Sequence, residues 1–247
     1  MSAPEEYVAW INEHVGFNPR GQTHSDFLTA RIVADLAGRC PPVGSDFRDG
    51  HLLLRQNVGI NGVRHSSPLA LPITGAEDLD LDPNIDGVVL RTATGPVTSP
   101  LTLENKTVMT AHGKARTNRF NDARAYASHV HTASPSTVAG FTIVINTALR
   151  YRNPDAFARS AASSGTNRPG DAAKTIGLFR RLPLREMPAD PASRCEAVLI
   201  LAIDYDGETP SARLIEADPA PRAGDPFSYD WFLDRLCSLF QQRFAAR

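Results

Sequence analysis

The chain has no long apolar run, no closely spaced cysteine pair and no excess of charge of either sign. Its longest hydrophobic stretches, Phe141 to Leu149 and Ala197 to Ile203, fall well short of the ~20 residues that cross a bilayer, so no transmembrane helix is expected. Glu5 and Glu6 stand where a secretory signal carries a basic region and then an apolar one, which leads us to expect a cytoplasmic protein. Cys40, Cys195 and Cys237 are odd in number and too far apart for a CxxC pair. That argues against a zinc knuckle or a disulfide framework and predicts three reduced, buried thiols. A formal net charge of −1 excludes a surface that binds nucleic acid throughout. No Gly-x-Ser-x-Gly elbow and no GxxxxGK[ST] loop occurs, which removes the serine hydrolases and the P-loop enzymes. Asp78, Asp80 and Asp82 alternate like the start of a calcium loop, but Pro83 stands where that loop needs glycine and Val89 where it needs glutamate.

What is present is a chain of 247 residues, 42% hydrophobic and 21% charged, with enough apolar material for one core of ordinary size. Its charge is sorted by segment. Glu77 to Glu104 holds six acids (Glu77, Asp78, Asp80, Asp82, Asp86, Glu104) against Arg91 alone. Lys106 to Arg124 then holds five bases (Lys106, Lys114, Arg116, Arg119, Arg124) against Asp122 alone, and Arg150 to Arg185 holds eight against Asp155 and Asp171. Solvated helix faces explain either basic run by itself. Together with the acidic run they suit a carboxylate site beside a phosphate-binding surface.

Apolar spacing predicts a helix from about Ser25 to Ala37, capped by Thr23, Ser25 or Asp26 and ended by Gly38 and Pro41-Pro42. Residues 43–83 are poorly patterned, with one strand at His51 to Leu54. Ile85 to Arg91 and Leu101 to Val108 read as two strands joined by Thr92 to Pro100, which would put Asp86 and Glu104 on neighbours. Lys114 to His129 reads as a helix, Phe141 to Ala148 as a buried strand, Ser160 to Gly170 as a loop, Ala197 to Asp204 as a strand and Ser228 to Phe244 as an amphipathic helix. This order implies an α/β or α+β domain around a central sheet. His129 and His131 lack a third ligand at a useful spacing, and a strand-ending Asp-Gly turn accounts for Asp204 and Asp206.

The chemistry concentrates at Glu104 and Lys106. Residues two apart on a strand share a face, so these two sit with Thr102 while Leu101 and Leu103 pack on the other side. A carboxylate from Asp86 on the same face would repel Glu104 unless a cation lay between them, and a divalent metal meets that need. Mg²⁺ is commonly held by one or two carboxylates together with substrate phosphate oxygens.

Asn84-Ile85-Asp86, an apolar strand and then Glu104-Asn105-Lys106 resemble the PD-(D/E)XK motif of the restriction-endonuclease-like nucleases, with no literal Pro-Asp dipeptide because Pro83 stands before Asn84. The resemblance spans about residues 84–146. It implies an α/β fold with a restriction-endonuclease-like central mixed β-sheet flanked by helices, as one nuclease domain over 1–247 with a helical portion at about 1–40. It also implies Asp86 and Glu104 as ligands of Mg²⁺, Lys106 as the catalytic lysine, and phosphodiester hydrolysis as the reaction. His112, Lys114, Arg116, Asn118 and Arg119 follow the motif and are expected to meet phosphate oxygens, Arg119 foremost because a guanidinium clamps phosphate with two hydrogen bonds. The expected partner is double-stranded DNA, cut by a homodimer, with a cognate methyltransferase or a defence complex as further partners. The alternatives are a catalytically idle DNA- or partner-binding member of the same fold, an RNase, and a nuclease subunit of a larger complex.

Overall fold

The computed structural model describes residues 1–19, 21–48, 100–152 and 164–244, together with the backbone of six short strands between 52 and 91. In chain order the elements are α1 (Ala3–Glu13), α2 (Thr23–Arg39), α3 (Pro41–Arg48), β1 (Leu52–Arg55), β2 (Gly59–Ile60), β3 (Val63–Arg64), β4 (Leu69–Pro72), β5 (Asp80–Leu81), β6 (Leu90–Arg91), β7 (Leu101–Val108), α4 (His112–Ala133), β8 (Val138–Asn146), β9 (Arg150–Arg152), β10 (Ser164–Thr166), α5 (Asp171–Phe179), β11 (Ala197–Asp204), β12 (Arg213–Leu214) and α6 (Tyr229–Phe244).

The organising element is β8, VAGFTIVIN, in which every residue is buried. A strand so uniformly buried needs cover on both faces and a partner on both edges, the condition met in parallel sheets with helical crossovers. Accordingly β7 and β11 flank β8, all three parallel, with Leu101 opposite Val138 and Ala197 opposite Gly140. The connection from β7 to β8 is α4, and the connection from β8 to β11 contains α5. Antiparallel strands complete a six-stranded mixed sheet of order β1-β4-β7-β8-β11-β12. The chain is therefore α/β, as expected.

Side chains alternate between two cores. Leu101, Leu103, Val138, Val144, Leu199 and Leu201 pack with Tyr7 and Ile11 of α1, Leu28, Ile32 and Leu36 of α2, and Phe232, Leu236 and Phe240 of α6. Phe141, Ile143, Ile145, Val198 and Ile200 pack with Ala123, Tyr126, Ala127 and Val130 of α4 and with Ile176 and Phe179 of α5. On the first face a side chain at Gly140 would meet Leu103 at 2.5 Å and Phe232 at 3.0 Å, so the glycine is what lets α6 approach the middle strand.

Three expectations are corrected. Leu90–Arg91 pairs with Asp80–Leu81, and β7 lies between β4 and β8, so the described part of the expected Ile85–Arg91 strand is not the partner of β7. The nine-residue connection assumed for that hairpin is long for a turn that fixes strand pairing, and sheet neighbours distant in sequence took the edges instead. Cys40 and Cys237 form a disulfide, with Cα atoms 5.5 Å apart, while Cys195 alone stays a buried thiol. The end of α2 and the side of α6 meet because both cover the same sheet face, a proximity that local spacing does not reveal; Arg39 reinforces it through ion pairs to Asp230 at 2.5 Å and Asp234 at 2.9 Å. Ser164–Thr166, expected in a loop, pairs with Arg150–Arg152. No helix among the described residues is long and apolar enough to cross a membrane.

Two outcomes follow from this packing. The disulfide closes a loop of 197 residues, so Cys237→Ser should lower stability by up to about 5 kcal/mol, and reductant should reproduce the loss in the wild type but add nothing to the variant. Gly140→Val should cost about 1 to 3 kcal/mol in a denaturant titration through overpacking against α6, whereas the same change at the open Gly113 should cost far less.

Candidate active site

Strand β7 brings the polar residues together. Thr102, Glu104, Lys106 and Val108 project toward α4 and α5, with Thr102 Oγ1 accepting the Tyr126 hydroxyl at 2.6 Å and Val108 in the core on that side. Glu104 is buried at 6% exposure, and Lys106 Nζ lies 2.5 Å from its Oε1. A carboxylate taken out of water needs such a partner, because burial alone would drive it toward the neutral form. The Tyr126 hydroxyl nearby is held far above its usual pKa, first by burial and then by neighbouring negative charges that include Glu104.

Asn105 and Thr107 point to the opposite face and fasten α2 and the chain before it. Asn105 Nδ2 donates to the Ser25 carbonyl at 3.0 Å and to Thr29 Oγ1, and Thr107 Oγ1 donates to the Pro19 carbonyl at 3.0 Å. Around this edge of β7 lies a cavity of about 310 Å³ lined by Pro19, Gly21, Gln22, His24, Ser25, Asn105, Lys106, Thr107 and Arg119. Ser25 Oγ, Asn105 Oδ1 and Arg119 Nε are buried there without a hydrogen-bond partner among the described residues. Lys106 and Arg119 line the cavity at the start of a 17-residue helix whose dipole is positive at that end, and these cations with the dipole suit it to an anion.

His24 closes the inner wall. Its ring accepts the Tyr7 hydroxyl at Nδ1, 3.0 Å away, and donates from Nε2 to the Pro19 carbonyl at 3.1 Å. Burial pushes its pKa down to about 4, with the Lys106 charge acting in the same direction, so the ring is neutral at physiological pH. Asp26 on the next turn moves the other way, its carboxyl raised to about 6 by burial.

Of the expected site residues, Glu104, Lys106 and Arg119 are brought together. Asp86 lies outside the described residues. Lys114 and Asn118 are exposed on α4 and Arg116 is half-buried. His112 does not belong with them. It is 1% exposed, with Nδ1 2.9 Å from Thr175 Oγ1 and Nε2 3.1 Å from the Asn146 carbonyl, so neither nitrogen is offered to a phosphate. Burial lowers its pKa as well. Arg119 spends one Nη on Asp122 at 2.5 Å, which fixes its guanidinium beside the cavity.

The loop between β7 and α4 is held by residues whose role no local pattern announces. Asn167 Nδ2 donates to the Met109 and Ala148 carbonyls at 3.0 and 2.9 Å, and Asn146 binds the Tyr205 backbone through both ends of its amide. Ala111 sits at φ +52° before α4, in a region that favours glycine, which costs on the order of 1 kcal/mol and is sustained by these contacts. Ser25, Asn105 and His24 are equally hidden as site residues in the sequence; the only signal is a polar Thr23-His24-Ser25-Asp26 run that also suits a helix start.

For a divalent metal at this site the described residues supply one buried carboxylate, Glu104, of the hard oxygen type that Mg²⁺ takes. Among the described residues no three His, Cys, Asp or Glu side chains converge. Glu104 is thus the one expected metal ligand that lies among the described residues. The chain matches no protein-family model, and no curated protein or solved structure is significantly similar to it.

The buried imidazole has a readable consequence. The unfolded chain protonates His24 near pH 6.5, whereas the folded chain resists until about pH 4. Stability present above pH 6.5 is thus lost as the pH falls toward 4, by about 3 kcal/mol at most, while Asp26 contributes in the opposite sense over part of that range. In His24→Gln the thermal midpoint should fall less between pH 6.5 and 4 than in the wild type; an unchanged pH profile would remove His24 from this role.

Proposed function

We propose that the chain is a Mg²⁺-dependent DNA endonuclease of the restriction-endonuclease-like type, with its reacting centre at Glu104 and Lys106. The observation that carries this reading is the ion pair of buried Glu104 with half-buried Lys106, beside a cavity that Lys106 shares with a second cation, Arg119. Bound Mg²⁺ supplies Lewis-acid polarisation of the phosphodiester and neutralises charge on its oxygens. Glu104, with Asp86, would hold that ion.

The chain's own groups do the rest. Lys106 is held in one place by Glu104, so its ammonium needs no reorganisation to stabilise the negative charge that grows on the phosphorus oxygens. Arg119 lines the same space, held there by Asp122, and its guanidinium is suited to orient a phosphate oxygen. His24, neutral and bonded at both nitrogens, serves as wall and not as acid or base. Cutting both strands of a duplex needs two such centres, which supports a homodimer acting on double-stranded DNA. The fold supports the reading at the level of a mixed sheet with helices on both faces.

Plasmid cleavage with Mg²⁺ tests it. Lys106→Met should lower the rate at least a hundredfold, and Glu104→Gln should do the same while weakening the dependence on Mg²⁺ concentration. Both variants should keep the wild-type circular dichroism spectrum. Undiminished cleavage in both, or no cleavage by the wild type, overturns the assignment.

A further inference from the structure

Past the cavity, α4 packs against α5, and the two helices leave between them a groove of about 530 Å³ lined by Arg116, Thr117, Lys174, Gly177, Leu178 and Arg181. Three of the six carry positive charge and none is acidic. Lys174 and Arg181 are exposed, and Arg116 has a buried Nη1 with no hydrogen-bond partner among the described residues. Three cations on one groove repel one another, and Asp171, one turn before Lys174, accepts from the Arg168 amide and does not line the groove. A ligand of opposite charge would offset that repulsion.

Gly177 adds a second observation. It lies inside α5, where glycine costs about 1 kcal/mol relative to alanine, yet a side chain there would meet nothing within 4 Å. Its φ is not in the left-handed region, so neither packing nor backbone conformation calls for glycine. What the missing side chain does is keep the wall of the groove low between Lys174 and Arg181, one helical turn to either side.

The groove and the cavity are adjacent. Arg116 lines the first and Arg119 the second, and residues three apart on a helix are neighbours on its surface. We infer that the α4–α5 groove, through Arg116, Lys174 and Arg181, binds the sugar–phosphate backbone of the nucleic acid on its way to Lys106. The inference rests on the nuclease reading for the identity of the polyanion, and it brings in Lys174 and Arg181, which lie outside the segment that follows the Glu104-Asn105-Lys106 motif. Phosphate contacts of this kind set position and affinity without reading sequence, so the groove should act alike on any duplex.

The test is binding without catalysis. Anisotropy of a fluorescein-labelled 20-base-pair duplex is titrated with the full-length protein in EDTA over a range of NaCl concentrations. Lys174→Gln/Arg181→Gln should weaken binding at least tenfold and flatten the plot of log Kd against log salt by about 2, close to one for each phosphate that is no longer neutralised. Gly177→Leu should weaken binding with no fall in thermal midpoint, since the added side chain enters open space. Wild-type affinity and salt slope in both variants overturn the groove, as does absence of duplex binding by the wild type. If the wild type binds phosphatidylserine vesicles but not the duplex, and the double variant loses the vesicles, the surface belongs to a membrane and the inference fails. Groove-dependent duplex binding without Mg²⁺-dependent cleavage would sink the nuclease reading and leave the groove standing. Loss of cleavage in Lys106→Met, with duplex binding intact in the groove variants, would do the reverse.

Discussion

Burial of β8 on both faces is the constraint from which the rest of the molecule follows. Nine consecutive buried residues cannot form the edge of a sheet or face water, so β7 and β11 must flank the strand and helices must cover it twice. Parallel neighbours need long crossovers, and α4 and α5 lie in them on one face while α1, α2 and α6 cover the other. Polar groups reach a cavity where this cover thins. That place is β7, whose described pairing with β4 extends over Leu101 and Thr102 alone, leaving Glu104 to Thr107 to be met by α2, by the chain before it and by α4.

Two buried carboxylates show how differently the same cost can be met. Glu196 is fully buried, and its oxygens accept hydrogen bonds from the Ala139 amide at 2.9 Å, His131 Nε2 at 3.0 Å, Arg243 Nη1 at 2.8 Å and Arg185 Nη1 at 3.1 Å. Arg185 in turn donates to the Pro135 and Pro188 carbonyls, so the cluster ties the end of α4, the start of β8, the approach to β11 and the end of α6 into one unit. A carboxylate met from four sides by the fold itself reads as structure. The surroundings of Glu104 are of another kind. Its lysine partner is a quarter exposed, and three buried polar atoms around the adjoining cavity lack partners among the described residues. The two differ in exposure and in partners: Glu196 is closed in by two guanidinium groups, an imidazole and an amide, whereas the cation beside Glu104 reaches solvent.

The sequence made the framework legible where periodicity was strong and failed where it was short or long-range. Ala197–Asp204 falls where the apolar run placed it, and α2, α4, β8 and α6 lie within a few residues of their expected spans, because each has a buried stripe that the pattern exposes. The short helices α3 and α5 escaped notice. The first begins with two prolines, which suit a first turn as well as a stop, and the second carries a glycine at 177. For the site, the shared face of Glu104 and Lys106 was readable from strand alternation alone, and the structure bears that geometry out. Asn105, between them, was not, since its importance lies in contacts with Ser25 and Thr29 some eighty residues away. His112 misled for the opposite reason. Its neighbours in sequence are basic and exposed, but the first turn of α4 rotates it onto the Asn146 carbonyl and the Thr175 hydroxyl inside the fold.

That rotation leaves α4 with two characters. Its C-terminal half holds the helix to the sheet through Ala123, Tyr126, Ala127 and Val130, whereas Lys114, Arg116, Asn118 and Arg119 crowd its first half and His112 alone among the first residues is buried. The first turn contains no acidic residue. A cation in the first turn of a helix, as Lys114 is, opposes the helix dipole at a cost of a few tenths of a kcal/mol, so helix formation alone would select against it. A negatively charged ligand reverses the sign of both effects, because it is attracted by the dipole and by the side chains together. On the proposed reading, the same residues that weaken α4 as an isolated helix would strengthen it against a phosphate backbone, and the charge sorting along the chain would follow from that exchange of stability for binding.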